Sequence, residues 1–456
     1  MAAPERHILI VHSAGDLGYL ERLRPQGFRF TLVKKRPTSE DGERFDAVID
    51  WDYQDGVAAT VELVRGLHGR DPIAGVTSFS ESGVIMAAIL AGELGLPGNP
   101  PAAALRARNK YLMRRAFARD GMANPAFHLV RTADEIAACL RAAGGPMVLK
   151  PISGSSSYGV VKLTPDDPVE QIAAHLDEVR QYIAGYRQNN PQYPFEFWLP
   201  AAGCGIAPED VFDPAEVFLL EGFIAGQQVS VDGFVADGQV TCLGAIEIER
   251  IRNSEYFLEY EEWMPTRFGP VAETAIMETA ARAVRALGLR NSCFHCEMKV
   301  EGDRRAIIEV AARRGADNIA DFVRRLYGID VYEEGVRLAA GEPRRHGELR
   351  PRGAMKMRYF LPEAAGELVA IHGLDAVRAD PRVSELELEF GAGDPILMPP
   401  DGFEFLGYIS VYEDTPEAAA EALEELYPRV RFMVLSRGAA AADAATSPAD
   451  SAGTRR

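Results

Sequence analysis

The sequence predicts a mixed α/β and α+β protein: an N-terminal domain on a doubly wound parallel sheet, then parts whose strands pair as hairpins. Two observations carry this. Over the first hundred residues, short apolar runs alternate with helical stretches, the pattern of strands joined by crossover helices. From residue 147 onward, strand-like runs follow one another across Gly-containing turns, which is how hairpins read.

In chain order, "HILIV" is a first strand, "SAGDLG" a turn and "YLERLRPQGF" a helical piece. "FDAVIDWD" is a second strand, and "IAGVTSFSES" a third that enters a Ser-rich turn before the helix "GVIMAAILAGELG". Gly15 and Gly18 lack the full glycine spacing of a dinucleotide-binding turn, so a plain doubly wound domain is preferred.

From residue 104, "ALRARNKYLMRRAFARDG" reads as one basic amphipathic helix, stopped by Gly121 and followed by Pro125. In "TADEIAACLRAAGG", Thr132 and Glu135 have capping-box spacing and Gly144–Gly145 ends the helix. "PMVLK" is a strand that runs into "GSSSYG". A P-loop requires Lys-Ser/Thr after its second glycine and then a helix, whereas Val160 and Val161 follow here. The element therefore reads as strand, loop, strand: a hairpin flap. Its small residues suit a flexible turn and a phosphate cradle equally, and Lys150 on the entering strand tips the balance toward phosphate.

The stretch from about 184 to 216 is rich in Pro, Gly and aromatics and is expected to be an inserted loop. "EVFLLEGFIAGQQVSVDGFVADGQVTCLGAIEIE" is a run of strands with a hairpin signal at Asp237–Gly238. In "CFHCEMKV", Phe294, Cys296 and Met298 share one strand face, and His295, Glu297 and Lys299 the other. A three-residue loop around Gly302–Asp303–Arg304 would set Glu297 opposite Glu309, whereas a two-residue turn would set it against Ile308. Opposed carboxylates repel, and a divalent cation of the Mg²⁺ or Mn²⁺ type would turn that repulsion into a site; a solvated pair is the alternative.

"NIADFVRRLYGIDVYEEGVRLAAGEP" is helical by periodicity, which removes the barrel context that "AMKM" would need as a biotin-bearing turn at Lys356. Cys293 and Cys296 form a CxxC whose sulfurs point to opposite strand faces, so both read as packing residues. The C-terminal part reads as strands and one helix opened by Thr415 and Glu417. The stretch after residue 437 is poor in large apolar residues and is expected to be a disordered tail.

Composition limits the partners. The chain has 456 residues, 47% of them hydrophobic, and a formal net charge of -18. That charge argues against nucleic acid or an anionic membrane as partner, and any anionic ligand must be met by local positive charge. Five cysteines and no long apolar segment make a reduced, cytoplasmic setting the expectation.

Taken in order, "LGLPGNPPAAALRARNKYLMRRAFARDG", "MVLKPISGSSSYGV", "LLEGFIAGQQVSVDG", "CFHCEMKV" and "AIIEVAARRGADNIADFVRRLYGID" resemble the ATP-grasp superfamily of ADP-forming ligases, most closely its amino-acid ligase branch. The resemblance runs from about residue 70 to about residue 425. It implies a two-part ATP-grasp fold over 104–342, with a flap subdomain over about 125–225. Residues 1–103 would precede it as a separate domain, residues 343–436 would form a closing subdomain, and 437–456 the tail.

By the same resemblance, Lys110 and Lys150 contact ATP phosphates, while Ser156, Ser157 and Gly159 lie in the covering flap. Glu221, Phe223 and Ile224 form the hinge that meets adenine, and Gln228 stands where a ribose-contacting acid is usual. Glu297 and Glu309 are the Mg²⁺ carboxylates and Arg313 steadies the acyl-phosphate. Ala311 replaces an Asn common among relatives, and Ala316 a glycine. His295, on the face of Glu297, is a candidate to contact substrate or deprotonate the amine.

The implied activity is ATP-dependent ligation of a carboxylate to an amine through an acyl-phosphate, with ATP and Mg²⁺ (or Mn²⁺) as cofactors and small molecules as substrates. A homodimer is the default assembly. Alternatives are bicarbonate or a carrier-protein thiol as partner, or nucleotide binding without catalysis.

Overall fold

The computed structural model describes residues 5–12, 17–51, 56–154, 159–189, 212–251, 259–316, 318–398 and 405–435. The chain divides into two units, one of residues 1–257 and 263–352, the other of residues 258–262 and 353–456.

The first unit opens with β1 (Arg6–Val11), α1 (Gly18–Leu23), β2 (Phe28–Lys34), α2 (Ser39–Arg44), β3 (Ala47–Asp50), α3 (Gly56–Arg70), β4 (Ile73–Thr77) and α4 (Val84–Glu93). The strands pair in parallel in the order β3-β2-β1-β4, a doubly wound arrangement. Four strands stand where three were expected. The addition is β2, which follows Gly27 at φ +83; that left-handed residue ends the helical stretch before Phe28. α4 is buried from Val84 to Ala91, as a helix that is apolar all round must be.

The expected single helix from residue 104 is two helices, α5 (Pro101–Arg108) and α6 (Lys110–Arg119). Asn109 separates them in an extended conformation, and its side chain accepts the N–H groups of Tyr111 and Leu112. Then come β5 (Phe127–Val130), α7 (Ala133–Ala143), β6 (Met147–Pro151), β7 (Val161–Leu163), α8 (Val169–Asn189) and β8 (Phe218–Gly222). Thr132 caps α7 by accepting the Glu135 N–H, while Glu135 reaches back to the N–H of Arg131. The sheet runs β5-β8-β6-β7, and β6 pairs antiparallel with β7 as a flap requires. Residues 184–189, expected to open a loop, are the last turns of α8. Ser156, Ser157 and most of the 184–216 stretch lie outside the described residues, as does the tail.

β9 (Gln227–Ala236), β10 (Gln239–Arg250), β11 (Glu259–Met264), α9 (Pro270–Leu287), β12 (Ser292–Glu301), β13 (Arg304–Ala311), α10 (Ile319–Tyr327) and α11 (Val331–Ala339) follow. Within the first unit β13-β12-β9-β10 are adjacent and antiparallel. Their apolar face packs against α6 and α9, with Phe117, Val231, Ile276, Val284, Phe294, Cys296 and Met298 in one core. Burial of that face turns the Glu297 face toward the site.

The register of β12 on β13 corrects the expected loop. Glu301 pairs with Arg304, so the turn holds only Gly302 and Asp303. Glu297 still faces Glu309, because the pairing slips by one between Glu297 and Met298 and leaves Ile308 as the extra residue of a β-bulge.

In the second unit, β14 (Ala354–Phe360), β15 (Gly366–His372), α12 (Leu374–Arg378), β16 (Val383–Leu388), β17 (Pro395–Ile396), β18 (Gly407–Glu413), α13 (Pro416–Leu426) and β19 (Arg431–Leu435) follow one another. Lys356 lies in β14, buried and ion-paired with Glu261 at 3.0 Å, so it is not displayed on a turn. Among the described residues no helix is long and apolar enough to cross a membrane.

Candidate active site

The site is organised from one helix. Because Asn109 breaks the chain before it, α6 starts at Lys110, and Lys110 and Arg114 lie one above the other on the same helical face. Lys110 Nζ lies 2.7 Å from Glu309 Oε2 and donates to the Gly154 carbonyl at the foot of the flap, at 3.3 Å. Arg114 Nε donates to Glu221 Oε2 at 2.7 Å. Lys150 Nζ pairs with the other oxygen of the same carboxylate. The flap strand, the hinge strand and the metal-type carboxylate are thus drawn to one helix.

The electrostatics follow from burial. Arg114, Lys150 and Glu221 are each at most 4% exposed. Burial alone would raise the Glu221 carboxyl, but Lys150 and Arg114 override it and hold it at about 2. Burial pushes the Lys150 ammonium down against the pull of Glu221, and Arg114 and Lys110 push it further. Glu309 is likewise held at about 2 by Lys110, against burial. Three cations, Lys110, Arg114 and Lys150, therefore gather around Glu221 and Glu309, with Glu297 opposite Glu309.

On the facing strand, Glu297 accepts from Gln228 Nε2 at 3.0 Å, and Gln228 in turn accepts from Arg250 Nε at 2.6 Å. In this structure the Gln228 amide thus serves Glu297. His295 stands opposite Asp232 across β12 and β9; its Nδ1 lies 3.0 Å from Asp232 Oδ2 and its Nε2 3.4 Å from Glu297 Oε1. Burial would lower the imidazole, but Asp232 and Glu297 together raise it well above its usual value. The ring of His295 is thus held between two carboxylates. Asp232 Oδ1 also accepts the Gly315 N–H at 2.7 Å. A Cβ on Gly315 would fall 2.8 Å from that oxygen and 3.0 Å from His295 Nδ1, so the close approach needs glycine.

Glu297 and Glu309 are opposed, partly exposed and served by hydrogen-bond donors, which suits a hard divalent cation. No group of three metal-ligating side chains occurs among the described residues, and Ala311 supplies no donor. Two carboxylates are what Mg²⁺ commonly takes from a protein when substrate phosphates and water complete the shell.

Arg313 leaves β13 toward the N-terminal sheet, where its Nε lies 2.9 Å from Glu81 Oε1; Arg108 holds the other Glu81 oxygen. Burial would raise Glu81, yet the two arginines keep it below its ordinary value. An open pocket lies beside Arg313, lined by Ser78, Phe79, Ala87, Asn99, Ser292 and Cys293 among others.

Of the remaining expected residues, Phe223 donates its N–H to the Pro146 carbonyl at 3.1 Å and carries Lys162 Nζ 4.4 Å from its ring centroid. Ile224 is buried. Gly159 has φ +68, with Val179 3.0 Å from where a Cβ would stand.

Sequence reasoning passed over Glu81, Arg108, Arg114 and Asp232. Glu81 carried a signal, since it follows the C-terminal end of a parallel strand, where open α/β sheets bind ligands. The other three carried none that could be read without their partners.

Residues 206–321 match the family model of the ATP-grasp domain, and residues 358–434 that of the L-amino acid ligase C-terminal domain 2. Residues 206–321 thus carry the match to an ATP-grasp domain. The chain is 26% identical over 350 residues to alanine–anticapsin ligase of Bacillus subtilis, covering 70% of this chain and 69% of that protein. It is 25% identical over 363 residues to carnosine synthase 1 of Mus musculus, covering 76% of this chain but only 41% of that longer protein. In fold, it superposes on the crystal structure of an L-amino acid ligase from Bacillus licheniformis with a TM-score of 0.78 and 20% identity, over 95% of this chain and 100% of that one.

Proposed function

We propose that this protein is an ADP-forming ATP-grasp ligase that joins the carboxylate of one amino acid to the amine of another. The observation that carries the reading is the convergence on one site of Glu297 opposite Glu309, Lys110 between Glu309 and the flap, and Arg313 beside a pocket. Names of relatives that ligate amino acids support the substrate class.

A carboxylate is a poor electrophile, so its oxygen first attacks the γ-phosphorus of ATP and ADP leaves. The amine nitrogen then attacks the acyl carbon, loses a proton and expels phosphate. The task of the protein is positioning and charge neutralisation. Lys150 and Lys110 meet the phosphates. Arg313 offers its guanidinium to the oxygens of the acyl-phosphate, and the pocket beside it admits the side chain of the acid. Glu297 and Glu309 would hold Mg²⁺ or Mn²⁺, which when bound neutralises phosphate charge.

Purified protein given ATP, Mg²⁺ and a panel of amino acids is expected to release ADP and phosphate in equal amounts, with an amide product visible by mass. Glu309→Gln should lose turnover and still bind nucleotide. ATP binding with silence across the whole panel would overturn the ligase reading, and ADP release driven by bicarbonate without any amine would move it to a different acceptor.

A further inference from the structure

Arg114 is 1% exposed and spends four N–H groups. Two go to the carboxylate of Glu221, at 2.7 and 3.2 Å. The other two go to backbone carbonyls, Ile307 at 2.7 Å and Ile308 at 2.9 Å. Those carbonyls belong to the bulge that brings Glu309 opposite Glu297; the regular register of the same hairpin would place Ile308 there.

One carboxylate takes two of the five N–H groups of an arginine, and when the group is buried the others must find acceptors elsewhere. Arg114 divides its planar fork between the hinge strand and the bulge, and Lys110, one turn earlier on α6, holds the Glu309 side chain. The helix thus grips Glu309 by its carboxylate and its strand by the carbonyls just before it.

We infer that Arg114 is a positioning residue for the ligase reaction: by capping the Ile307 and Ile308 carbonyls it maintains the bulged register that opposes Glu309 to Glu297. It also joins that register to the Glu221 hinge. The inference rests on the ligase reading for its consequence in turnover, but not for its consequence in metal binding. Lysine would keep the charge and lose the fork, since an ammonium cannot reach a carboxylate and two carbonyls in one plane.

The test uses the full chain carrying Arg114→Lys or Arg114→Gln, with folding checked by circular dichroism and a cooperative thermal transition. Mn²⁺ binding is read by electron paramagnetic resonance with a non-hydrolysable ATP analogue present, independently of activity. Folded Arg114→Lys should bind Mn²⁺ about 10- to 100-fold more weakly, the usual cost of removing a group that orients a metal ligand. The metal concentration for half-maximal ADP release should rise in parallel, while the KM for the amino acids stays within about twofold. Unchanged Mn²⁺ affinity in a folded variant would overturn the inference, and so would failure of both variants to fold, which assigns Arg114 to folding alone. If the unaltered protein binds Mn²⁺ and nucleotide but never releases ADP, the ligase reading falls, and the Mn²⁺ comparison still decides the role of Arg114.

Discussion

Each unit contains a buried ionic cluster built from one lysine, one arginine and glutamate. In the first unit Lys150 and Arg114 share the single carboxylate of Glu221. In the second, Lys356 and Arg358 share Glu261, and Arg358 also takes Glu424, so cations and carboxylates are equal in number. Burial is similar, Lys150 at 4% and Lys356 at 3% exposed, and in both it pushes the ammonium pKa down. Charge left over in a dry interior costs several kcal/mol. The second cluster is therefore closed on itself, while the first adjoins Lys110, Glu309 and Glu297.

The largest expected contrast is between the two lysines. Lys150→Met should cut ADP release about 100-fold or more, the scale of removing one electrostatic stabiliser. Lys356→Met should leave turnover within about twofold and destabilise by roughly 3–5 kcal/mol, as expected when one partner of a buried pair is lost. An ATP analogue at about 100 times its Kd should stabilise the unaltered protein and Lys356→Met by about 2.7 kcal/mol in thermal unfolding, and Lys150→Met hardly at all. Equal effects of the two substitutions on activity would erase the distinction between the clusters.

A smaller effect concerns acid. The Glu221 carboxyl lies near 2 in the folded chain, below its unfolded value of about 4.3. A depressed carboxyl contributes stability above the unfolded value and loses it as pH falls toward the folded one, here about 3 kcal/mol between roughly pH 4.3 and pH 2. Glu221→Gln should flatten that part of the acid-unfolding profile; an unchanged slope would mean that Glu221 is not held as the geometry indicates.

The smallest effect compares two helix caps. Asn109→Ala and Thr415→Ala should each cost about 1 kcal/mol, since each removes a side-chain acceptor at a helix start. Only Asn109→Ala should also raise the KM for ATP, because its helix begins with Lys110. A raised KM in both would detach the cap from the site.

Much of this was legible. The alternation in "CFHCEMKV" placed Glu297 and His295 on one face, and the Val160–Val161 step after the serine loop marked a flap strand, as pairing of Met147 with Leu163 bears out. The Glu297–Glu309 pairing was reached through the wrong turn. Two errors of one residue cancelled: the loop is shorter by one and the bulge adds one. A bulge is invisible in "AIIEVAA" because no residue in it demands special backbone angles. The break at Asn109 was missed for a related reason, as a basic amphipathic pattern continues through it.

By itself the sequence determined what depends on near neighbours: strand faces with their period of two, the Asp237–Gly238 turn, the capping threonines and the chemistry of each donor. Only the tertiary structure decided which charges meet. Arg114 finds Glu221 at a separation of 107 residues and the Ile308 carbonyl at 194. Local propensity acts over a few residues, whereas a buried charge takes its partners from whatever the packing of distant elements brings within hydrogen-bond reach.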